Sequence, residues 1–158
     1  MRDFYLVTII GFLVGWLLLM PVKNIGLPIT PALIFASVFG FTVFAPFAFL
    51  FLRWLGKFWP IFEQFGKFAA VGTLNTLLDL GVLNFFIFLT DIPSGPYYSL
   101  FKGVSFIFGT TNSYFWNKFW TFGSRLPVTT KEFLRFGAFT LVGTVVNVGV
   151  ASFIVNII

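Results

Sequence analysis

Cysteine and histidine are both absent from this 158-residue chain. Their absence excludes disulfide frameworks, thiolate nucleophiles, Cys/His zinc sites and imidazole acid–base catalysis. No metal or cofactor is expected. Charge is also scarce, at 9% of residues, where an ordinary soluble domain carries about 25%. Ten Lys and Arg outnumber five Asp and Glu, but the bases are spread along the chain rather than gathered on one face, which excludes a nucleic-acid partner. No Gly-rich loop of the kind that cradles nucleotide phosphates is present. Glu63, Asp91 and Glu132 stand near interfaces and far apart in sequence. No acid–base pair is therefore available, and the chain does not read as an enzyme.

What remains is apolar. Hydrophobic residues make up 58% of the chain and Phe alone supplies 26; the mean hydropathy is +0.97. A membrane-spanning helix needs about 20 mostly apolar residues. Five stretches fit: Phe4 to Met20, Pro31 to Leu52, Phe68 to Leu89, Tyr97 to Phe119, and Phe133 to Ile158. The expectation is an all-α integral membrane protein with about five transmembrane helices. The first stretch is read as a retained helix, because Met20, Pro21 and Val22 make a poor signal-peptide cleavage site. Thr30 followed by Pro31 predicts an N-capped second helix, and Pro46 predicts a kink within it.

Numbering the loops alternately puts Arg2, Arg53, Lys57, Lys67, Lys118, Arg125, Lys131 and Arg135 on one side, eight of the ten bases. That side is cytoplasmic by the positive-inside rule, so the N-terminus is inside and the C-terminus outside. Trp54, Trp59, Trp116 and Trp120 fall near the inner boundary, and Tyr97 and Tyr98 near the outer one. The segment from Arg53 to Lys67 alternates bases with aromatics. It fits either an interfacial stretch lying on anionic head groups or a short tether broken by Pro60. Residues 1–60 are accordingly read as an N-terminal helix pair with this interfacial segment, and residues 61–158 as the main transmembrane domain.

Sliding the chain against itself by 68 residues aligns Phe65 with Phe133, Lys67 with Arg135, Thr76 with Thr144 and Asp79 with Asn147, without a gap. One period holds two helices, so the copies are parallel, a construction known in transporters. The second copy is incomplete at Ile158. Either its last helix is absent or the sequence is a fragment, and oligomerisation would supply the missing half.

Asp79 is the residue hardest to place. It lies roughly mid-bilayer, where a carboxylate costs about 3 kcal/mol even on the permissive insertion scale. It must be protonated, paired or turned to a polar cavity. Gly72, Asn75, Thr76 and Asp79 share one helix face. Lys102, Ser105, Gly109 and Asn112 form a similar stripe on the fourth helix, as do Thr140, Gly143, Thr144 and Asn147 on the fifth. These faces suit either a polar route or close helix packing. For Lys102 the preferred placement is snorkelling outward, with a counter-ion to Asp79 as the alternative. Lys118, with Arg125 and Arg135, is placed to hold a phosphate at head-group level or simply to anchor the inner interface.

Two segments carry a family resemblance: Phe68-Ala-Ala-Val-Gly-Thr-Leu-Asn75-Thr-Leu-Leu-Asp79, and Asn112-Ser-Tyr-Phe-Trp-Asn117-Lys118-Phe-Trp120-Thr-Phe122. In their order and spacing they resemble the GtrA-like family of small bacterial membrane proteins, over Phe65 to Ile158. The N-terminal helix pair and the missing last helix depart from that family's core. The resemblance implies movement of a polyprenyl-phosphate-linked sugar, such as undecaprenyl-phosphate glucose, across the cytoplasmic membrane, with a membrane glycosyltransferase as partner. It places Asn75 and Asp79 on the first motif and Asn117, Lys118, Trp120 and Phe122 on the second. The candidate substrate-binding set is therefore Asn75, Asp79, Lys102, Asn112, Asn117, Lys118, Trp120, Arg135 and Asn147. Two other functions fit the same residues: a non-transporting subunit that anchors a glycosyltransferase, and a small proton-coupled exporter using Asp79.

Overall fold

A computed structural model describes the backbone of residues 1–157 and the side chains of residues 1–146. The described chain is all helical. In order it holds α1 (Arg2–Leu17), α2 (Leu19–Asn24), α3 (Pro31–Leu55), α4 (Ile61–Thr90), α5 (Gly95–Trp116), a π-helical turn (Asn117–Thr121) and α6 (Thr130–Ile157). Because α1 and α2 run on as one rod, there are five long helical segments. Three of them, Arg2–Asn24, Pro31–Leu55 and Ile61–Thr90, are long and apolar enough to cross a membrane. At 22 residues α5 is also long enough, but Lys102, Ser105, Asn112 and their neighbours make it less apolar. The protein is a multi-pass membrane protein. Its contacts divide it into two compact units, Met1–Ser124 and Arg125 onward.

The helix ends follow from local chemistry. Thr30 caps α3 as expected, its Oγ1 accepting from the Leu33 amide at 3.2 Å, with Pro31 at the first helical position. The first rod was expected to stop at Met20, yet it continues to Asn24. Pro21 lacks an N–H for the Leu17 carbonyl, so it interrupts the ladder around Leu18 without ending the rod. Pro46 likewise sits inside α3, which runs through it. The ambiguous Arg53–Lys67 segment resolves into the last residues of α3, a short turn, and the first turns of α4. No separate helix stands between α3 and α4. The 30-residue α4 is roughly 45 Å long, more than the hydrocarbon core of about 30 Å, so its first turns can carry Glu63 and Lys67.

In the first unit α1 packs on α3 and α4, and α4 packs on α3 and α5. The core joins Val7, Ile10 and Val14 of α1 to Phe49 of α3, Val71 and Leu74 of α4, and Trp120 of the π-turn. Helices in lipid gain no hydrophobic drive to associate and depend on close contact. Gly11 and Gly15 provide it: a Cβ at Gly11 would lie 2.3 Å from the Phe41 carbonyl oxygen, and one at Gly15 would lie 2.6 Å from the Val38 Cα. Ser37 Oγ donates to the Gly15 carbonyl at 2.7 Å across this contact. The opposite side of α3 exposes Phe35, Phe39, Phe47, Phe51 and Trp54, a surface matched to hydrocarbon with Trp54 near its end.

In the second unit α6 is a single helix. Thr129 Oγ1 accepts from the Glu132 amide at 3.3 Å, and Thr140 and Thr144 hydroxyls donate to the Phe136 and Thr140 carbonyls. The side chain of Asn147 lies outside the described residues.

Candidate functional site

The polar stripes expected on α4 and α5 face each other. Lys102 Nζ is paired with Asp79 Oδ2. Ser105 Oγ lies 2.5 Å from the other carboxylate oxygen, Oδ1, and also 3.0 Å from the Lys102 carbonyl. Gly109 keeps the helices close, since a Cβ there would stand 3.5 Å from both the Asn75 carbonyl oxygen and the Asp79 Cβ. One turn further along, Asn112 Nδ2 donates to Asn75 Oδ1 at 2.6 Å. Lys102 therefore turns to the carboxylate rather than snorkelling away. The reason is energetic: the carboxylate needs a counter-charge more than the ammonium needs the interface. The pair is not sealed, because the Asp79 side chain is 24% exposed and that of Lys102 44%. An ion pair open on one side can exchange partners with a hydroxyl or an anion.

A second polar cluster sits at the basic end of the unit, where Arg2 and Lys67 both approach Asp3. Asp3 accepts from Trp120 Nε1 at 3.0 Å and pairs with Lys67 at 2.7 Å. Lys67 also lies 3.9 Å from Glu63 and 6.0 Å from the Trp120 ring centroid. Asp3 was not among the expected residues, and Lys67 was expected only as an inner-side base and as the repeat counterpart of Arg135. Alternating charges beside a Trp were visible, but the contact spans 117 residues and no local period signals it. The same is true of the Asn24–Asn84 hydrogen bond at the other end.

The Asn117–Trp120 motif forms the π-turn, closed by the Phe122 amide on the Asn117 carbonyl at 2.9 Å. Such turns widen a helix by one residue and recur at functional sites. The expected helix was continuous to Phe119; here it ends at Trp116. Asn117, Lys118 and Trp120 are all buried. Asn117 Nδ2 donates back to Ser113, and Lys118 Nζ lies 5.8 Å from the Tyr114 ring. In the second unit Arg135 is exposed and lies 5.7 Å from the Phe139 ring. The structure thus brings together Asn75, Asp79, Lys102 and Asn112 as one seam, and groups Asn117, Lys118 and Trp120 on one turn.

Residues 67–158 match the family model described as GtrA/DPMS, transmembrane domain. The chain belongs to this GtrA/DPMS family. The family is linked to lipid-linked sugar translocation, and its members are generally non-catalytic membrane proteins. The chain is also similar to the "Uncharacterized membrane protein YngA" of Bacillus subtilis (strain 168), at 37% identity over 84 residues, which are 51% of this chain and 53% of that protein. The chain thus spans about half the length of the curated relative it matches. No solved structure matches it. The α4–α5 seam lies wholly within the matched region, whereas Asp3, which holds Lys67 and Trp120, precedes it.

Proposed function

We propose that this GtrA-family protein translocates a polyprenyl-phosphate-linked sugar across the cytoplasmic membrane, for use by a membrane glycosyltransferase in cell-surface polysaccharide synthesis. The observation that carries the reading is the open Asp79–Lys102–Ser105 cluster, continued by the Asn75–Asn112 bond. A sugar carries hydroxyls that both donate and accept. Asp79 and the two amides offer acceptors and donors to match, Lys102 offers charge to phosphate, and the hydrocarbon tail stays in lipid. In this proposal Lys118, with Asn117 and Trp120, serves the phosphate in the first unit, and Arg135 and Asn147 are the second unit's own candidate substrate contacts.

The proposal includes five membrane crossings with the N-terminus inside, since the basic end of the first unit would face the cytoplasm. It also includes a parallel two-helix repeat in which α6 is the counterpart of α4. Functionally, residues 1–60 form an added helix pair and residues 61–158 the translocating domain.

A second reading, a non-transporting subunit that anchors a glycosyltransferase, draws on the exposed aromatic row of α3. Reconstitution in liposomes with a labelled polyprenyl-phosphate sugar separates the two. Flipping by the purified chain that is lost in Asp79→Asn supports translocation. No flipping, with tight co-purification of a transferase, overturns it in favour of the second.

A further inference from the structure

The π-turn leaves two buried polar atoms unserved. Asn117 Oδ1 and Thr121 Oγ1 meet no hydrogen-bond partner, although their residues are only 4% and 8% exposed. Asn117 donates its amide hydrogens to Ser113, and its oxygen receives nothing in return. Other helical threonines, among them Thr42, Thr73, Thr76 and Thr90, each donate to the carbonyl four residues back. For Thr121 that carbonyl belongs to Asn117. Here it is closed by the amide of Phe122, five residues on, at 2.9 Å. The extra residue in the turn carries Thr121 past the oxygen it would otherwise reach.

One contact from outside holds this register. Trp120 Nε1 donates to Asp3 at 3.0 Å, and Asp3 is itself fixed by Lys67 at 2.7 Å. Little else resists a change. Directly after Phe122 comes Gly123 at φ +61°, with nothing within 4 Å of a Cβ placed there, and the irregular chain then runs on to the start of α6. Only residues 119–122 need to turn, and the loop absorbs the single residue that is released.

We propose that the Asn117–Phe122 turn is a two-position register switch, held in the π register by Asp3 and rewound into an α register when the Trp120–Asp3 bond opens. On rewinding, the Thr121 amide closes on the Asn117 carbonyl. The Lys118 carbonyl exchanges the Ser124 amide, now at 2.9 Å, for that of Phe122, so no backbone bond is lost. Thr121 becomes the i+4 neighbour of Asn117, a spacing at which side chains meet on a helix, and its hydroxyl has an Asn117 oxygen to donate to. Each of the moving residues takes the place of its successor. Trp120 therefore enters the position Thr121 now holds, on a groove of about 220 Å³ lined by Gln64, Phe65, Phe68 and Phe122. Phe119 replaces Trp120 beside Leu6 and Trp116. The groove against α4 is open in one register and filled by an indole in the other. The two states are close in energy because each gives up a comparable interaction: a buried hydroxyl goes unserved in the π register, and the Trp120–Asp3 bond is absent from the α register. The switch puts Trp120, within the family-matched region, under the control of α1, which precedes that region. It does not depend on what cargo the protein carries.

The test is fluorine NMR of the full chain in nanodiscs, with fluorotryptophan at all five Trp positions and the Trp120 signal identified by its loss in Trp120→Phe. The expected spectrum has a major and a minor Trp120 signal in slow exchange, connected by saturation transfer. Asp3→Ala raises the minor fraction about tenfold, the scale of one hydrogen bond. Thr121→Val keeps the shape and removes the unserved hydroxyl, so on the Asp3→Ala background it lowers the minor fraction again by about fivefold or more, whereas Thr121→Ser leaves it high. Thr73→Val, at a hydroxyl already served by Ala69, leaves both signals as they were. A single Trp120 signal in Asp3→Ala without saturation transfer overturns the proposal. So does a minor signal that persists undiminished in Thr121→Val alone, a variant that leaves Asp3 untouched.

Discussion

If Lys102 answers the charge of Asp79, removing the lysine alone should harm the protein more than removing both groups. Lys102→Met leaves a carboxylate against apolar helix surface with only Ser105 beside it. Breaking a fully buried pair from one side costs about 3–5 kcal/mol. Here Lys102 is 44% exposed, so water and head groups recover part of the loss, and about 2 kcal/mol is expected. Asp79→Leu combined with Lys102→Met removes both charges, and an apolar replacement of a buried pair is often neutral. The double variant should therefore unfold within about 1 kcal/mol of the parent. The assay is equilibrium unfolding of the purified chain in mixed micelles, titrated with denaturing detergent and followed by helical circular dichroism. Parent, two single variants and the double variant complete the cycle. A Lys102→Met protein as stable as the parent, or a double variant no better than the single, would refute the pairing argument. The same four proteins carry a functional readout: a double variant that folds but no longer flips lipid-linked sugar would show that the pair acts on cargo rather than on packing.

Further outcomes follow from other contacts. Asp3→Ala and Trp120→Phe should show a coupling of about 1 kcal/mol in a double-mutant cycle on unfolding, since each removes one partner of the same hydrogen bond; additive effects would deny that bond's contribution. Gly15→Ala should destabilise by about 1–3 kcal/mol, because the added methyl meets the α3 backbone at 2.6 Å. Gly40→Ala, with nothing within 4 Å, serves as the neutral control in the same titration. Asn112→Leu should cost only about 0.6 kcal/mol, the typical worth of an interhelical hydrogen bond in lipid. If the seam carries cargo, its flipping rate in liposomes should nevertheless fall well beyond what that loss of folded protein explains.

The α4–α5 seam was legible because helical spacing is a local property: Asn75 with Asp79, and Lys102 with Ser105, Gly109 and Asn112, must share a face wherever the helix forms. The direction of Lys102 was not legible. A long flexible side chain near a helix end has two satisfactory destinations, and only the position of α4 decides between them. The Gly11–Gly15 contact passed unnoticed because small residues in an apolar run look like any other lipid-facing sequence until a neighbouring backbone approaches. The π-turn at Asn117–Thr121 has no hydropathy signature, since one extra residue in a turn changes neither composition nor span length.

By itself the sequence determined that the chain is helical, belongs in a membrane and must find company for Asp79, because length, hydropathy and the cost of a charge in hydrocarbon depend only on which residues are present. Tertiary structure decided who answers that charge, and it brought Asp3 to Lys67 and Trp120 from the far end of the first unit. These are contacts between helices, and a sequence states them only after the helices have chosen their neighbours.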